Sequence, residues 1–312
     1  MQTFLFPLLF LFLLTDESAS NNDVKENPVV KDDNTEHSVV GLTLIYDGGW
    51  DCLPQPLFWK EIMLLSPDSC LINVAEDRVI LERKLFSEWT AQTEPEKKMY
   101  KDNLRKKYNL SSSAQINVTT GKNDFYRFHD VYPSLAKGKK AFETHGVDPW
   151  FAQAILLIES PGQLARSHVG AYGAFQLMPS VARSQGLIVT KTVDERTDFD
   201  KSAMGSARLI SRVCIPEAKR ILNAHNLTYN ETDLWFRLFV LHVYHAGAMN
   251  VKAVVDKINP SEGGQELITQ MWRTTAASFG NSSQNYTQLA LASHLVLSDI
   301  VNKKLISQVA VN

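Results

Sequence analysis

Glu159 closes a strongly apolar stretch, Phe151 to Ile158, and Pro161-Gly162 follow it almost at once. Pro149 at the start and the apolar run predict a buried helix over 149–159, with the carboxyl at its C-terminal end. The helix dipole is negative there, and burial disfavours the ionised form. Both effects raise the pKa and favour a protonated acid near neutral pH, as a general acid requires. The residue types alone leave a second reading open, in which Glu159 is a solvated helix end or half of a buried ion pair. Asp194, Glu195, Asp198 and Asp200 could supply a second carboxylate to work beside it. They could equally cap and orient a helix over 201–214. His242 and His245 lie three apart on a predicted helix and could ligate a metal, but no third ligand sits at suitable spacing. They read as packed or cleft-lining histidines, and no metal is expected.

Several elements are needed to position these groups. Helices are predicted over 133–144, 149–159, 179–185, 201–214, 216–224, 232–246, 251–258, 266–279 and 286–306, several opened by proline. The C-terminal part is therefore all-α. Upstream, Val39 to Tyr46 reads as a short strand and Asp47-Gly48-Gly49 as a turn. The proline- and aromatic-rich stretch from Trp50 to Ser69 gives no assignment. Residues 75–110 read as helical with a break at Thr93-Glu94-Pro95, and 109–124 as a connecting loop.

The chain has 312 residues, 44% hydrophobic and 21% charged, with a net charge of -2. That is enough apolar material for a sizeable core, and no global field draws the protein to nucleic acid or an anionic membrane. Basic runs at 97–107 and 137–140 read as solvated helix faces. The apolar run from Phe4 to Leu14 is too short to span a bilayer and suits a signal peptide ending near Ser18-Ala19-Ser20, although no Lys or Arg precedes it. Residues 21–38 are polar and read as a flexible linker. The expectation is an exported protein, periplasmic or extracellular, with no transmembrane segment after signal removal. Of Cys52, Cys70 and Cys214, the first two could form a bridge closing a loop of roughly 15–20 residues, contributing ~3 kcal/mol, or all three could be buried thiols. Six Asn-X-Ser/Thr matches, at Asn109, Asn117, Asn226, Asn230, Asn281 and Asn285, are background from an Asn- and Ser/Thr-rich chain.

The stretch Glu159-Ser160, Ser167 and Gly170-Ala-Tyr-Gly-Ala-Phe-Gln-Leu-Met-Pro179 resembles the signature of the soluble lytic transglycosylase (SLT) domain family. Tyr244-His245-Ala246-Gly247 resembles that family's later Tyr-Asn-Ala-Gly motif. Between them, 194–203 resembles a segment of the membrane-bound lytic transglycosylase D branch. The resemblance covers roughly 133–258. It implies a mainly α, lysozyme-like catalytic domain of the goose-type lysozyme and SLT fold. It also implies cleavage of the MurNAc–GlcNAc bond of peptidoglycan, with formation of 1,6-anhydro-MurNAc ends and no cofactor. Glu159 would be the single acid, then base. Ser167, Gln176 and Met178 would contact the glycan, and Tyr244 would hold the catalytic carboxyl. Ser160, Gly170 and Gly173 would be structural. Tyr172 and Phe175 sit inside the cleft motif and are the aromatics expected to stack on sugar, with Trp150 a further candidate. His245 stands where Asn is usual, and Ala174-Phe175 where Leu-Met or Leu-Trp is usual.

The expected organisation is a signal peptide (1–20), a linker (21–38), a smaller mixed or helical N-terminal region (39–128) and the lysozyme-like domain (129–312). Peptidoglycan strands are the expected partner. The N-terminal region is a candidate for docking on an envelope protein. The alternatives are a lysozyme-like hydrolase and a non-catalytic glycan-binding scaffold.

Overall fold

The computed structural model describes residues 29–32, 35–159 and 167–309. Where a linker was expected, Val29–Asp32 (β1) pairs antiparallel with Thr35–Ser38 (β2), Val29 opposite Ser38. Where a strand was expected, Leu42–Asp47 forms helix α1. Leu42 and Ile45, three apart, are both buried, and one helical face collects them where an alternating strand would split them. The turn at Gly48-Gly49 forms as predicted, with the Gly49 N–H donating to the Tyr46 carbonyl at 3.1 Å. Pro54–Leu64 is helix α2, its prolines in the first turn.

Three strands follow: Ser69–Val74 (β3), Ile80–Leu85 (β4) and Ile116–Thr120 (β5). They form an antiparallel sheet in the order β4-β3-β5. This corrects the helical reading at 80–85 and the loop reading at 116–120. In β4 the neighbours Ile80 and Leu81 face opposite ways, the first exposed and the second buried, as successive strand residues do. Phe86–Thr90 (α3) and Glu94–Lys107 (α4) lie between β4 and β5. The break read at Thr93 is the α4 N-cap, where Thr93 and Glu96 form a reciprocal capping box. Ile72, Leu81, Leu104 and Ile116 give this sheet a small core of its own.

The helical body comprises Phe128–Thr144 (α5), Pro149–Glu159 (α6), Pro179–Ser184 (α7), Phe199–Leu209 (α8), Ile215–Ala224 (α9), Leu234–Ala246 (α10), Ala248–Ile258 (α11), Gln265–Arg273 (α12) and Asn281–Val309 (α13). α5 begins before the expected Pro133 and carries that proline inside it. A π turn, Ile210–Cys214, joins α8 to α9 just ahead of Pro216, whose missing N–H interrupts the regular ladder. One core runs through α1, α2 and α5–α13, so Ile45, Phe58 and Ile62 pack with the C-terminal helices rather than with the sheet. At its centre lies α6, where every residue from Trp150 to Ile158 is buried. Each large apolar side chain enclosed this way contributes about 1.5–3 kcal/mol.

Cys52 is exposed, Cys70 and Cys214 are buried, and none is bridged. Burial pushes the Cys214 thiol up to about 12. Lys139, read as part of a solvated face, is buried instead, and burial lowers its pKa. Among the described residues no helix is long and apolar enough to cross a membrane.

Candidate active site

α6 is fixed at both ends before it presents its carboxyl. At the start, the Asp148 carboxylate accepts from the Trp150 N–H at 2.9 Å and pairs with Arg237 at 2.7 Å. In the middle, Gln153 exchanges two hydrogen bonds with the Val40 backbone, at 3.1 and 2.9 Å, as one strand residue would with another. On one side Gly138 of α5 lies so close that a Cβ there would stand 2.5 Å from the Leu156 Cδ1. Glu159 ends the helix, half-buried. Burial pushes its carboxyl up to about 7, an effect partly opposed by the Tyr286 hydroxyl. Three phenols feel its charge: Tyr126, Tyr244 and Tyr286 are all raised, by burial first and by Glu159 in addition.

Tyr286 was not legible as a site residue. It lies on α13, in a stretch without a motif, and only the packing of α13 against α6 and α10 brings it to Glu159. His245 stacks on it, ring centroids 4.2 Å apart and 18° from parallel. Tyr244, expected to hold the carboxyl, has its hydroxyl engaged elsewhere. It donates to the Phe175 carbonyl at 2.6 Å, and Ser206 Oγ lies 3.1 Å away as the matching donor. Tyr244 therefore pins the loop beside the site.

That loop is the hairpin from Ser167 to Met178. Tyr172 and Leu177 pair through both backbone bonds at 3.2 Å, and Gln176 takes a left-handed turn position, φ 47°. Ser167 Oγ accepts from the Ala171 N–H at 2.9 Å, closing the base and keeping its own proton to donate. Gly173 has φ 84°, and a Cβ there would lie 1.9 Å from the Arg196 carbonyl, so only glycine fits. Gly170 offers its carbonyl to Arg196 Nη1 at 2.8 Å.

Arg196 organises the rest. It is 1% exposed and binds both Asp194 oxygens, Nε at 2.8 Å and Nη2 at 2.7 Å. Nη1 also donates to the Leu177 carbonyl at 2.9 Å, and the guanidinium lies over Tyr172, 5.7 Å from its ring centre. The acidic cluster is thereby accounted for. Asp194 holds Arg196, Glu195 accepts from the Ile188 N–H and pairs with Lys201, Asp198 caps α8, and Asp200 pairs with Lys137.

Not every expected residue reaches the surface. Tyr172 is half-buried, Met178 and His245 are exposed, and Gln176 is half-buried with its amide on the Gly173 carbonyl at 3.0 Å. Phe175 is fully buried, stacked on Phe142 at 5.6 Å, and corrects the expectation of a sugar contact: the hairpin turns it inward, where it packs between Phe142 and Phe199. Trp150 is likewise core, stacked on His294. His242 is buried at 0% exposure with Nε2 2.9 Å from Thr287 Oγ1, and desolvation lowers it to about 3. Among the described residues no three His, Cys, Asp or Glu side chains gather as a metal site. Ser160 lies outside the described residues.

A mainly helical, lysozyme-like domain with a raised carboxyl at the end of its central helix, accompanied by a smaller N-terminal region, is the class that the fold and site define. Residues 138–263, from the middle of α5 to just past α11, match the family described as Transglycosylase SLT domain. Comparison with curated proteins finds no match. The matched span includes Glu159, the hairpin, Arg196 and Tyr244, and it ends before Tyr286.

Proposed function

We propose that this chain is an exported lytic transglycosylase that cleaves the MurNAc–GlcNAc bond of peptidoglycan with Glu159 as its only acid–base group. An SLT domain indicates a family acting on peptidoglycan. The finer reading rests on one observation: the Glu159 carboxyl is pushed up to about 7 at the end of a buried helix, while the acids of 194–200 are committed to Arg196, Lys201, Lys137 and the α8 cap. A single acid that keeps its proton near neutrality suits a reaction in which one group acts twice.

In the first step Glu159 protonates the bridging oxygen as the C1–O bond of the MurNAc unit breaks, releasing GlcNAc with a free 4-hydroxyl. In the second, the Glu159 carboxylate takes the proton of the same MurNAc's C6 hydroxyl as its oxygen bonds to C1. The ring closes as a 1,6-anhydro sugar, no water is consumed, and the acid is regenerated. Tyr286 tunes the carboxyl. Ser167, Tyr172, Gln176, Met178 and His245 form the glycan-facing rim, and Tyr244 with Gly170 and Gly173 keeps the hairpin in place. The 194–203 segment supports a place near the D branch of membrane-bound lytic transglycosylases, and the apolar run after Met1 supports export.

The test is digestion of purified sacculi, with products weighed by mass spectrometry. Muropeptides lighter than hydrolysis products by one water, absent with Glu159→Gln, are the expected result. Hydrated reducing ends would make the enzyme a lysozyme-like hydrolase. Sacculus binding without cleavage would make it a non-catalytic glycan scaffold.

A further inference from the structure

A cavity of about 710 Å³ lies between the sheet and the helical body, away from Glu159. Its roof is the β3–β4 turn and the α4–β5 loop, and its floor is the end of α12 and the first two turns of α13. The size falls in the range of small-ligand sites, ~300–1,000 Å³. Polar side chains dominate the lining, among them Ser113, Asn117, Gln284 and Asn285.

Arg78 is the decisive residue. It sits on the roof in a left-handed backbone conformation, φ 63°, which costs energy for a non-glycine residue. Its guanidinium lies over Phe58 and Trp59, 5.4 and 5.6 Å from the ring centres, and burial lowers its pKa. Among the described residues no carboxylate pairs with it. Its hydrogen bond is to a neutral amide, Nη2 to Asn285 Oδ1 at 3.1 Å. A partly desolvated arginine without a counter-charge is disfavoured, and a ligand carboxylate matches its planar fork.

The amides around it are held in fixed orientations. Asn285 Nδ2 donates to Asn281 Oδ1 at 3.1 Å, and Gln288 is locked between the Trp59 indole N–H at 3.1 Å and the Gln284 carbonyl at 2.9 Å. Gln284, also in the lining, donates a side-chain N–H to Thr275 Oγ1 at 3.3 Å. The charged residues of the lining are Arg78, Arg273 and Glu76, a net charge of one positive, which fits one carboxylate better than a dianionic phosphate.

We propose that this cavity is a second binding site, specific for a saccharide bearing a carboxylate, with Arg78 pairing the carboxylate and the α13 amides binding hydroxyl or acetamido groups. The site rests on its own lining. Only the choice of a muramyl ligand as first probe rests on the function proposed above. Such a site would hold an acidic glycan to the protein while the catalytic carboxyl works elsewhere on it, raising the effective local concentration of substrate.

Isothermal titration on full-length Glu159→Gln tests this without any turnover. The probes are a GlcNAc–MurNAc tripeptide, the same compound with its carboxyls amidated, trigalacturonate and neutral chitotetraose. The acidic muramyl probe should bind at least about tenfold more tightly than its amidated form. Arg78→Gln should remove that preference while leaving chitotetraose binding unchanged. Because Arg78 also packs on Phe58 and Trp59, Gln284→Glu serves as a second variant: it keeps size and places a repelling carboxylate in the cavity. It should weaken the acidic probe by a similar factor with an unchanged thermal midpoint. A tighter muramyl probe assigns the carboxylate to cell-wall peptide or lactyl groups, and tighter trigalacturonate assigns it to a uronate. Equal binding of acidic and amidated probes, or acidic binding untouched by both variants, overturns the proposal, and neither result bears on whether Glu159 cleaves peptidoglycan.

Discussion

Replacing Glu159 by glutamine should stabilise the folded protein in a pH-dependent way while abolishing its activity. In the fold the carboxyl titrates near 7, against an ordinary value of 4.5. Between those two values the native state keeps a proton that the unfolded chain releases. Wild-type stability therefore falls as pH rises through that window, at up to ~1.4 kcal/mol per pH unit. The burial that raises the pKa is the cause, because an ionised carboxylate beside Tyr126, Tyr244 and Tyr286 loses water without gaining a cation among the described residues. Over the whole window the loss amounts to about 3 kcal/mol, present in full by pH ~8 and absent below pH ~4. The glutamine side chain of the variant has no proton to lose. Urea unfolding of both proteins at pH 4.5 and pH 8 should show the variant's relative stability increasing by about 2–3 kcal/mol from the lower to the higher pH. A relative stability that is the same at both pH values would refute the argument, since it would mean that the carboxyl titrates in the folded protein as it does in water. In the wild type the same ionisation removes the general acid, so cleavage should decline as pH rises through 7.

Three further outcomes follow from the geometry. Arg196→Met leaves Asp194 without its cation and frees the Gly170 and Leu177 carbonyls, and should cost about 3–5 kcal/mol in denaturant unfolding. Gly173→Ala forces a Cβ into the Arg196 carbonyl at a positive φ, so a loss of more than about 2 kcal/mol is expected, with reduced lytic activity in whatever folds. Tyr286→Phe removes the hydroxyl that partly lowers the Glu159 pKa, so the alkaline limb of the pH–rate profile should move to higher pH, where a purely structural role would change the rate and leave the limb in place.

The helical body was legible because its signals are local. The apolar run ending at Glu159, prolines in first turns and the 3.6-residue periodicity define α6, α7 and α9–α11 with little help from elsewhere. The N-terminal region was not legible in the same way. Residues 42–47 alternate and cluster well enough for either strand or helix, and the neighbouring core decided for a helix by burying Leu42 and Ile45 together. β4 and β5 lack a clean apolar alternation, since β4 groups Ile80 with Leu81 and follows them with Glu82-Arg83-Lys84, and they exist because β3 offers both of its edges.

For the site the division is similar. Local sequence placed Glu159 at the end of a buried helix and turn-forming glycines at 170 and 173, since each depends on residues within a few positions of one another. Tertiary structure decided which phenol faces Glu159. It turned Phe175 inward, committed Tyr244 to the Phe175 carbonyl, and brought Tyr286 across from α13. It also spent the four acids of 194–200 on capping and ion pairs and left Arg78 facing a cavity with no counter-charge among the described residues. These are contacts between residues far apart in the chain, and no local pattern encodes which of several equally suitable side chains the packing will bring together.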